Sequence, residues 1–356
     1  MPKTAKPVGE FPAVQEARGP FKTYPSQYIR EKFLQHVRDT GQPDSWEHHD
    51  PSRPPRDKDY IEVLTFGVPE QLREKVGMAS CPICSPLSPK YFEGVLAWFR
   101  HEGVLRAIGH ECAKGHFGNR VVDDARRGGI EHDRVERAQD FLIDYLPKVT
   151  ALRNEISALQ EVCRDIEHLK QSFYRRLGKT TCQKIARDGA SGELPITIEV
   201  KIMMADRFGK EREAWTPQIV ESFPVNGLNF LKQRFSAVGQ VQNTLLALGK
   251  VRAADPYEAL EFVTEELTTN EYLFEAETLA RASEAELQKL RKIVSDAKAF
   301  FEPANLESLS RWTLHEMAEV PIEIGFDKRL PAVVTLRKRG RPRTSVPIRP
   351  SLRGST

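Results

Sequence analysis

Thirteen positions from Val135 to Leu177 advance in alternating steps of three and four: Val135, Ala138, Leu142, Tyr145, Val149, Leu152, Ile156, Leu159, Cys163, Ile166, Lys170, Phe173 and Leu177. Steps of that kind keep every member on one face of a helix, and only Lys170 among them is polar. An apolar stripe this long must be covered by other helices, which commits the middle of the chain to helix-on-helix packing. The pattern is that of a coiled-coil seam and predicts a coiled coil over 131–190, joining two copies as a homodimer. The same stripe fits a helix covered by later helices of its own chain. Pro147 interrupts the seam, so a kink or a fresh helix start is expected there.

On either side the pattern changes. Residues 1–57 hold nine of the 24 prolines, which predicts a mostly disordered arm. Ile29, Phe33, Leu34 and Val37 keep helical spacing, so one docking helix is expected over Tyr28–Val37. Residues 58–130 read as a compact α+β module. It has strands at Ile61–Phe66 and Val104–Ile108, a helix from Ser88-Pro89 to Gly103, and a loop at Gly128-Gly129. Residues 191–336 read as mainly helical with some strand. Ile196, Ile198, Val200 and Ile202 alternate with Thr197, Glu199 and Lys201 as a half-buried strand does. Helices follow at 228–250, and Asp255 and Ser283 each precede a glutamate by three residues, as helix caps do. A small hairpin is expected between Ile322–Phe326 and Ala332–Leu336.

Inside the 58–130 module stand two close pairs, Cys81-Pro-Ile-Cys84 and Cys112-Ala-Lys-Gly-His116. Two thiolates on a tight turn, facing a thiolate and an imidazole four residues apart on a helix, give the donor set of a tetrahedral zinc ion. Four protein ligands leave no open position for water, so the zinc is expected to be structural. His110 competes with Cys112 and His116 for a place in the set. A knuckle opposed by a second pair at a helix start resembles a treble-clef or zinc-ribbon module over about 78–128, although those modules usually carry a β-hairpin where a helix is predicted here. Five cysteines, one CxxC pair among them, argue against a disulfide framework.

The net charge of +3 hides an uneven distribution. Nine bases and no acid follow Asp327, which leaves the first 327 residues with 44 bases against 50 acids. The run Arg337-Lys338-Arg339-Gly340-Arg341-Pro342-Arg343 resembles an AT-hook, a slim extended segment whose arginines enter the minor groove of A·T-rich DNA. That resemblance implies nucleic-acid contact, with DNA favoured over RNA, through a disordered basic tail over 337–356. Two tails on a dimer would gain from avidity.

Other chemistry finds little support. Glu47-His48-His49-Asp50 is dense in acid–base side chains but lies in the proline-rich arm, where no scaffold is expected to fix a catalytic geometry. No phosphate-binding glycine loop, nucleophile elbow or HExxH run is present. No apolar run approaches the ~20 residues that span a bilayer, and the N-terminus has no secretory h-region. The expectation is a cytoplasmic, nucleoid or nuclear protein that is neither secreted nor embedded in a membrane. The fold class expected is mainly α with small β elements: an α+β zinc module, a long helical coiled coil, a helical C-terminal region and disordered termini. The function expected is that of a nonenzymatic zinc-containing DNA-associated protein. An adaptor or assembly factor that binds a protein partner is the alternative, and a zinc-dependent nuclease or hydrolase a weaker one.

Overall fold

A computed structural model describes residues 19–205, 211–232, 236–317, 322–327, 329–330 and 332–352, apart from the side chains of 85–88 and 205. The rest of the two expected disordered termini, residues 1–18 and 353–356, lies outside the described residues. The chain forms two compact units, Met1–Ala138 and Gln139–Thr356. The class is mainly helical with small sheets. Among the described residues no helix is long and apolar enough to cross a membrane.

In the first unit, α1 (Gln27–Thr40) is followed by β1 (Ile61–Gly67), α2 (Glu70–Val76), β2 (Ala79–Cys81), β3 (Ser85–Tyr91), β4 (Glu93–Phe99), β5 (Val104–Gly109) and α3 (His110–Phe117). An antiparallel sheet runs in the order β1-β4-β5, and β2 and β3 form a separate hairpin. α4 (Asn119–Tyr145) starts here and ends in the second unit. The helix expected from Ser88-Pro89 to Gly103 is therefore replaced by two strands. Val95, Leu96, Ala97, Trp98 and Phe99 are all buried, because β4 is the central strand and both its faces are covered. A continuous apolar run contains the i, i+3, i+4, i+7 subset of a helix face, so a strand buried on both sides carries a helix's pattern.

The arm expected to be irregular is part of this unit from residue 19 onward. Phe33, Val37 and Trp46 enter its core beside Phe66, Leu96 and Leu105. Arg30 ties α1 to α4 by ion pairs with Asp133 at 2.6 Å and with Glu136. Gly128 and Gly129 do not form a loop; α4 runs straight through them. A Cβ at Gly129 would lie 1.9 Å from the Glu62 carbonyl oxygen, so the glycine is what lets α4 lie against β1.

In the second unit, one 3₁₀ turn at Leu146–Lys148, holding Pro147, separates α4 from α5 (Val149–Leu177), as the sequence predicts. Then come α6 (Lys179–Asp188), β6 (Glu193–Ala205), β7 (Glu211–Pro224), α7 (Ala237–Gly249), α8 (Pro256–Glu261), α9 (Asn270–Phe300), α10 (Pro303–Leu314), β8 (Ile322–Phe326), β9 (Val333–Lys338) and β10 (Thr344–Pro347). α5 packs against α7 and α9 and buries Val149, Ile156, Cys163, Ile166, Phe173 and Leu177. The α5 part of the predicted seam is thus packed against helices of its own unit, the alternative that the same stripe fits. The seam's one charge is accommodated too: Lys170 reaches over the Tyr174 ring at 5.7 Å, and burial lowers its pKa.

Asp255 caps α8 as expected, accepting from the amides of Tyr257 and Glu258. Ser283 caps nothing. It lies buried within α9, 2.8 Å from the Tyr145 hydroxyl, and Thr269 caps the helix instead.

β8 and β9 pair as the expected hairpin, and β10 adds a third strand in the order β10-β9-β8. The tail predicted to be disordered from Arg337 is therefore a folded strand pair. Val346, Ile348 and Leu352, scattered through a basic and proline-rich background, are all buried and anchor it.

Candidate functional site

β2 ends on Cys81, and the turn that follows closes with the Cys84 amide donating to the Cys81 carbonyl at 3.0 Å. β5 then delivers the chain into α3, whose third residue is Cys112. The Sγ atoms of Cys81, Cys84 and Cys112 all lie within 4.8 Å of one another, and those of Cys84 and Cys112 are 3.2 Å apart. Four sulfurs bound to zinc at ~2.3 Å sit about 3.8 Å apart, so the spacing suits a tetrahedral ion. Cys81 is buried, Cys112 half-buried and Cys84 exposed; none is in a disulfide. Burial and the two neighbouring thiols push the Cys112 thiol up, and a bound divalent cation would reverse that by stabilising thiolates. This cluster could hold a metal ion.

The fourth expected ligand is not in the cluster. His116 Nε2 donates to the Pro54 carbonyl at 3.1 Å, and burial lowers the imidazole pKa. The ring is therefore neutral at pH 7, with its lone pair on Nδ1. His110, the competing ligand, opens α3 within electrostatic reach of Glu62 and Glu111 and also stays outside the cluster.

The Glu47–Asp50 segment does have a scaffold, contrary to expectation, and that scaffold gives it a structural task. His49 pairs with Leu105 of β5, and its Nδ1 accepts from the Ala107 amide at 3.1 Å. Asp50 Oδ2 receives Arg106 Nη2 at 2.8 Å. Burial lowers the His49 pKa to about 4, from an ordinary value near 6.5. The unfolded chain therefore binds the proton more readily between those values. Stability is complete above pH 6.5, falls as pH drops toward 4, and levels off below. The total loss is about 3 kcal/mol. Urea unfolding of the first unit at several pH values should show this slope, and His49→Gln should flatten it. Equal slopes in the two proteins would refute the assignment.

In the second unit, the seven residues expected to contact nucleic acid close the β9–β10 hairpin. The Arg341 amide donates to the Lys338 carbonyl at 2.8 Å, and Gly340 takes φ +77°, the left-handed value that glycine adopts freely. Arg337 and Arg343 both reach Glu323, at 3.2 and 3.1 Å. Lys338, Arg339, Arg341 and Pro342 are exposed. Lys338, Arg339 and Arg341 have no ion-pair partner among the described residues. Lys338 Nζ comes near Gly178, where α5 meets α6, and Arg175, Arg176 and Lys179 are exposed around that junction. Sequence reading missed this junction, because nothing in the spacing links residue 178 to residue 338.

No protein-family profile matches the chain, and neither does any curated protein or solved structure.

Proposed function

We propose that this chain is a nonenzymatic DNA-associated protein, in which a structural zinc ion completes the first unit and the β9–β10 turn contacts DNA. Cys81, Cys84 and Cys112 would hold the ion, and His116, which lies outside the cluster, would have to bring Nδ1 to it as fourth ligand. The bond from His116 Nε2 to Pro54 supports that role, since metal-binding histidines commonly donate their other ring N–H to a carbonyl. The chain order of knuckle, hairpin β4–β5 and helix α3 supports the resemblance to a treble-clef module.

The observation that carries the DNA reading is the exposed turn Lys338-Arg339-Gly340-Arg341-Pro342. Glu323 is already engaged by Arg337 and Arg343, and Lys338, Arg339 and Arg341 have no ion-pair partner among the described residues. Arginine on an exposed turn favours the enhanced negative potential of a narrow minor groove. The basic α5–α6 junction beside Lys338 would meet the flanking phosphates.

Anisotropy titrations of the full chain against A·T-rich duplex, G·C-rich duplex and double-stranded RNA test this. Tighter binding to A·T-rich DNA is expected, with strong salt dependence. Arg339→Ser/Arg341→Ser should reduce the slope of log K against log salt by about 2. Unchanged DNA affinity in that variant, or preference for RNA, would overturn the reading.

A further inference from the structure

The β6–β7 ribbon is apolar well beyond the part the second unit covers. Leu194, Ile196 and Phe223 at its base are buried. Farther out, Ile202 is 40% exposed, Met203 58%, Met204 51%, Trp215 63% and Ile219 61%. The sheet has two strands only, so both edges are unpaired among the described residues. Two strands alone are marginal in water, and a bare apolar edge is a template for another strand.

Three prolines say which edge is open. Pro224 stands opposite Glu193, Pro195 opposite Ser222, and Pro217 opposite Glu199. Proline has no N–H, so each belongs to a pair that exchanges no ladder bond, and such pairs alternate along an antiparallel ribbon. All three fall on odd-numbered positions of β6, in keeping with that alternation. The N–H and C=O groups of Thr197, Glu199, Lys201 and Met203 therefore point away from β7, to the outer edge of β6. The outer edge of β7 lacks donors at Pro217 and Pro224. β6 lacks an outward donor only at Pro195, near the base, and keeps its outward donors from Thr197 to Met203.

The sequence of that edge complements itself. Laid antiparallel on a copy of itself about Val200, β6 sets Glu199 against Lys201 and Ile198 against Ile202, each twice, with no like charges opposed. The outward residues meet outward residues, so the bonds of both edges close. Lys201 already pairs with Glu213 across its own ribbon, whereas Glu199 has no ion-pair partner among the described residues. The apolar faces of the two ribbons would also become continuous, because opposed residues share a face.

We propose that two copies of this chain associate by adding β6 to β6 about Val200, making a four-stranded sheet in the order β7-β6-β6-β7. The proposal is independent of the DNA reading and of the metal.

Sedimentation of the full chain should give a dimer. Val200→Cys should form a disulfide joining residue 200 to residue 200, identified by mass spectrometry, since residues facing each other in such a pair have Cα atoms about 4.5 Å apart. Ile202→Cys, whose own copy would lie far along the sheet, should not. Glu199→Lys opposes lysines twice and should weaken the dimer about tenfold. Glu199→Pro, which removes an outward donor without costing a bond to β7, should give a monomer with unchanged circular dichroism. A monomeric wild type would overturn the proposal. So would a dimer indifferent to both Glu199 variants, or cross-linking that is equal at residues 200 and 202.

Discussion

Cys81→Ser is expected to abolish zinc binding and to loosen the part of the first unit built on the knuckle. Wild type should carry about one zinc per chain by elemental analysis, and the variant almost none. Structural zinc contributes about 10 kcal/mol or more to the folding of small zinc domains. Here the full amount is not at stake, because most of the apolar core comes from β1, β4, β5 and α1 rather than from the knuckle. The loss should therefore be local. Hydrogen exchange should accelerate in β2, β3 and α3 on chelation or in Cys81→Ser, while β4 keeps its protection. Cys84→Ser should behave alike although Cys84 is exposed, because a tetrahedral site fails with any one ligand removed. His116→Ala separates the ligand sets: a drop in zinc affinity assigns the fourth position to His116, and no change assigns it elsewhere. A well-folded wild type without zinc, or a Cys81→Ser protein with unaltered exchange, would remove the metal from the account.

The cysteine cluster is legible in the sequence because its information is local. Two cysteines three apart make a knuckle wherever the turn forms, and the strand Val104–Ile108 leading into a helix set Cys112 opposite it. The seam of α5 was equally plain, but periodicity reports only that a face is covered. It does not say by which chain, and α7 and α9 turned out to be the cover. β4 reads as a helix for a related reason, since a strand buried on both sides loses the alternation that would mark it. In the tail, charge and proline content outweighed three apolar residues, and Val346, Ile348 and Leu352 were enough to fold it. The basic run kept its exposure but exchanged an extended conformation for a hairpin tip. Contacts distant in sequence left no trace at all. Arg106 meets Asp50 across 56 residues and Ser52 across 54, and no spacing rule connects them.

That arginine supplies the second large effect: Arg106→Met should destabilise the first unit by about 3 kcal/mol, toward the lower end of what breaking a buried ion pair costs. Arg106 is fully buried. Its Nε donates to the Ser52 carbonyl at 2.9 Å, Nη1 to Glu102 at 2.9 Å, and Nη2 to Asp50, Ser52 and Glu102, each at 2.8 Å. The guanidinium also lies over the Phe99 ring at 4.6 Å. Methionine keeps the apolar stem but leaves two carboxylates facing each other with no cation between them. Asp50 and Glu102 retain 25% and 33% side-chain exposure, so water relieves part of the cost, which is why the lower end is expected. Arg106→Lys should fall between, since an ammonium keeps the charge but cannot serve the Ser52 carbonyl and both carboxylates in one plane. The segment that carries His49 and Asp50 should detach first, so exchange at the Ala107 and Asp50 amides should rise before the core opens. A double-mutant cycle identifies the cause. Glu102→Gln should destabilise the wild type but be neutral or stabilising beside Arg106→Met, because it removes one of the stranded charges. If urea unfolding places Arg106→Met within about 0.5 kcal/mol of wild type, as for an ordinary surface substitution, the network is not what holds residues 49–52 to β5.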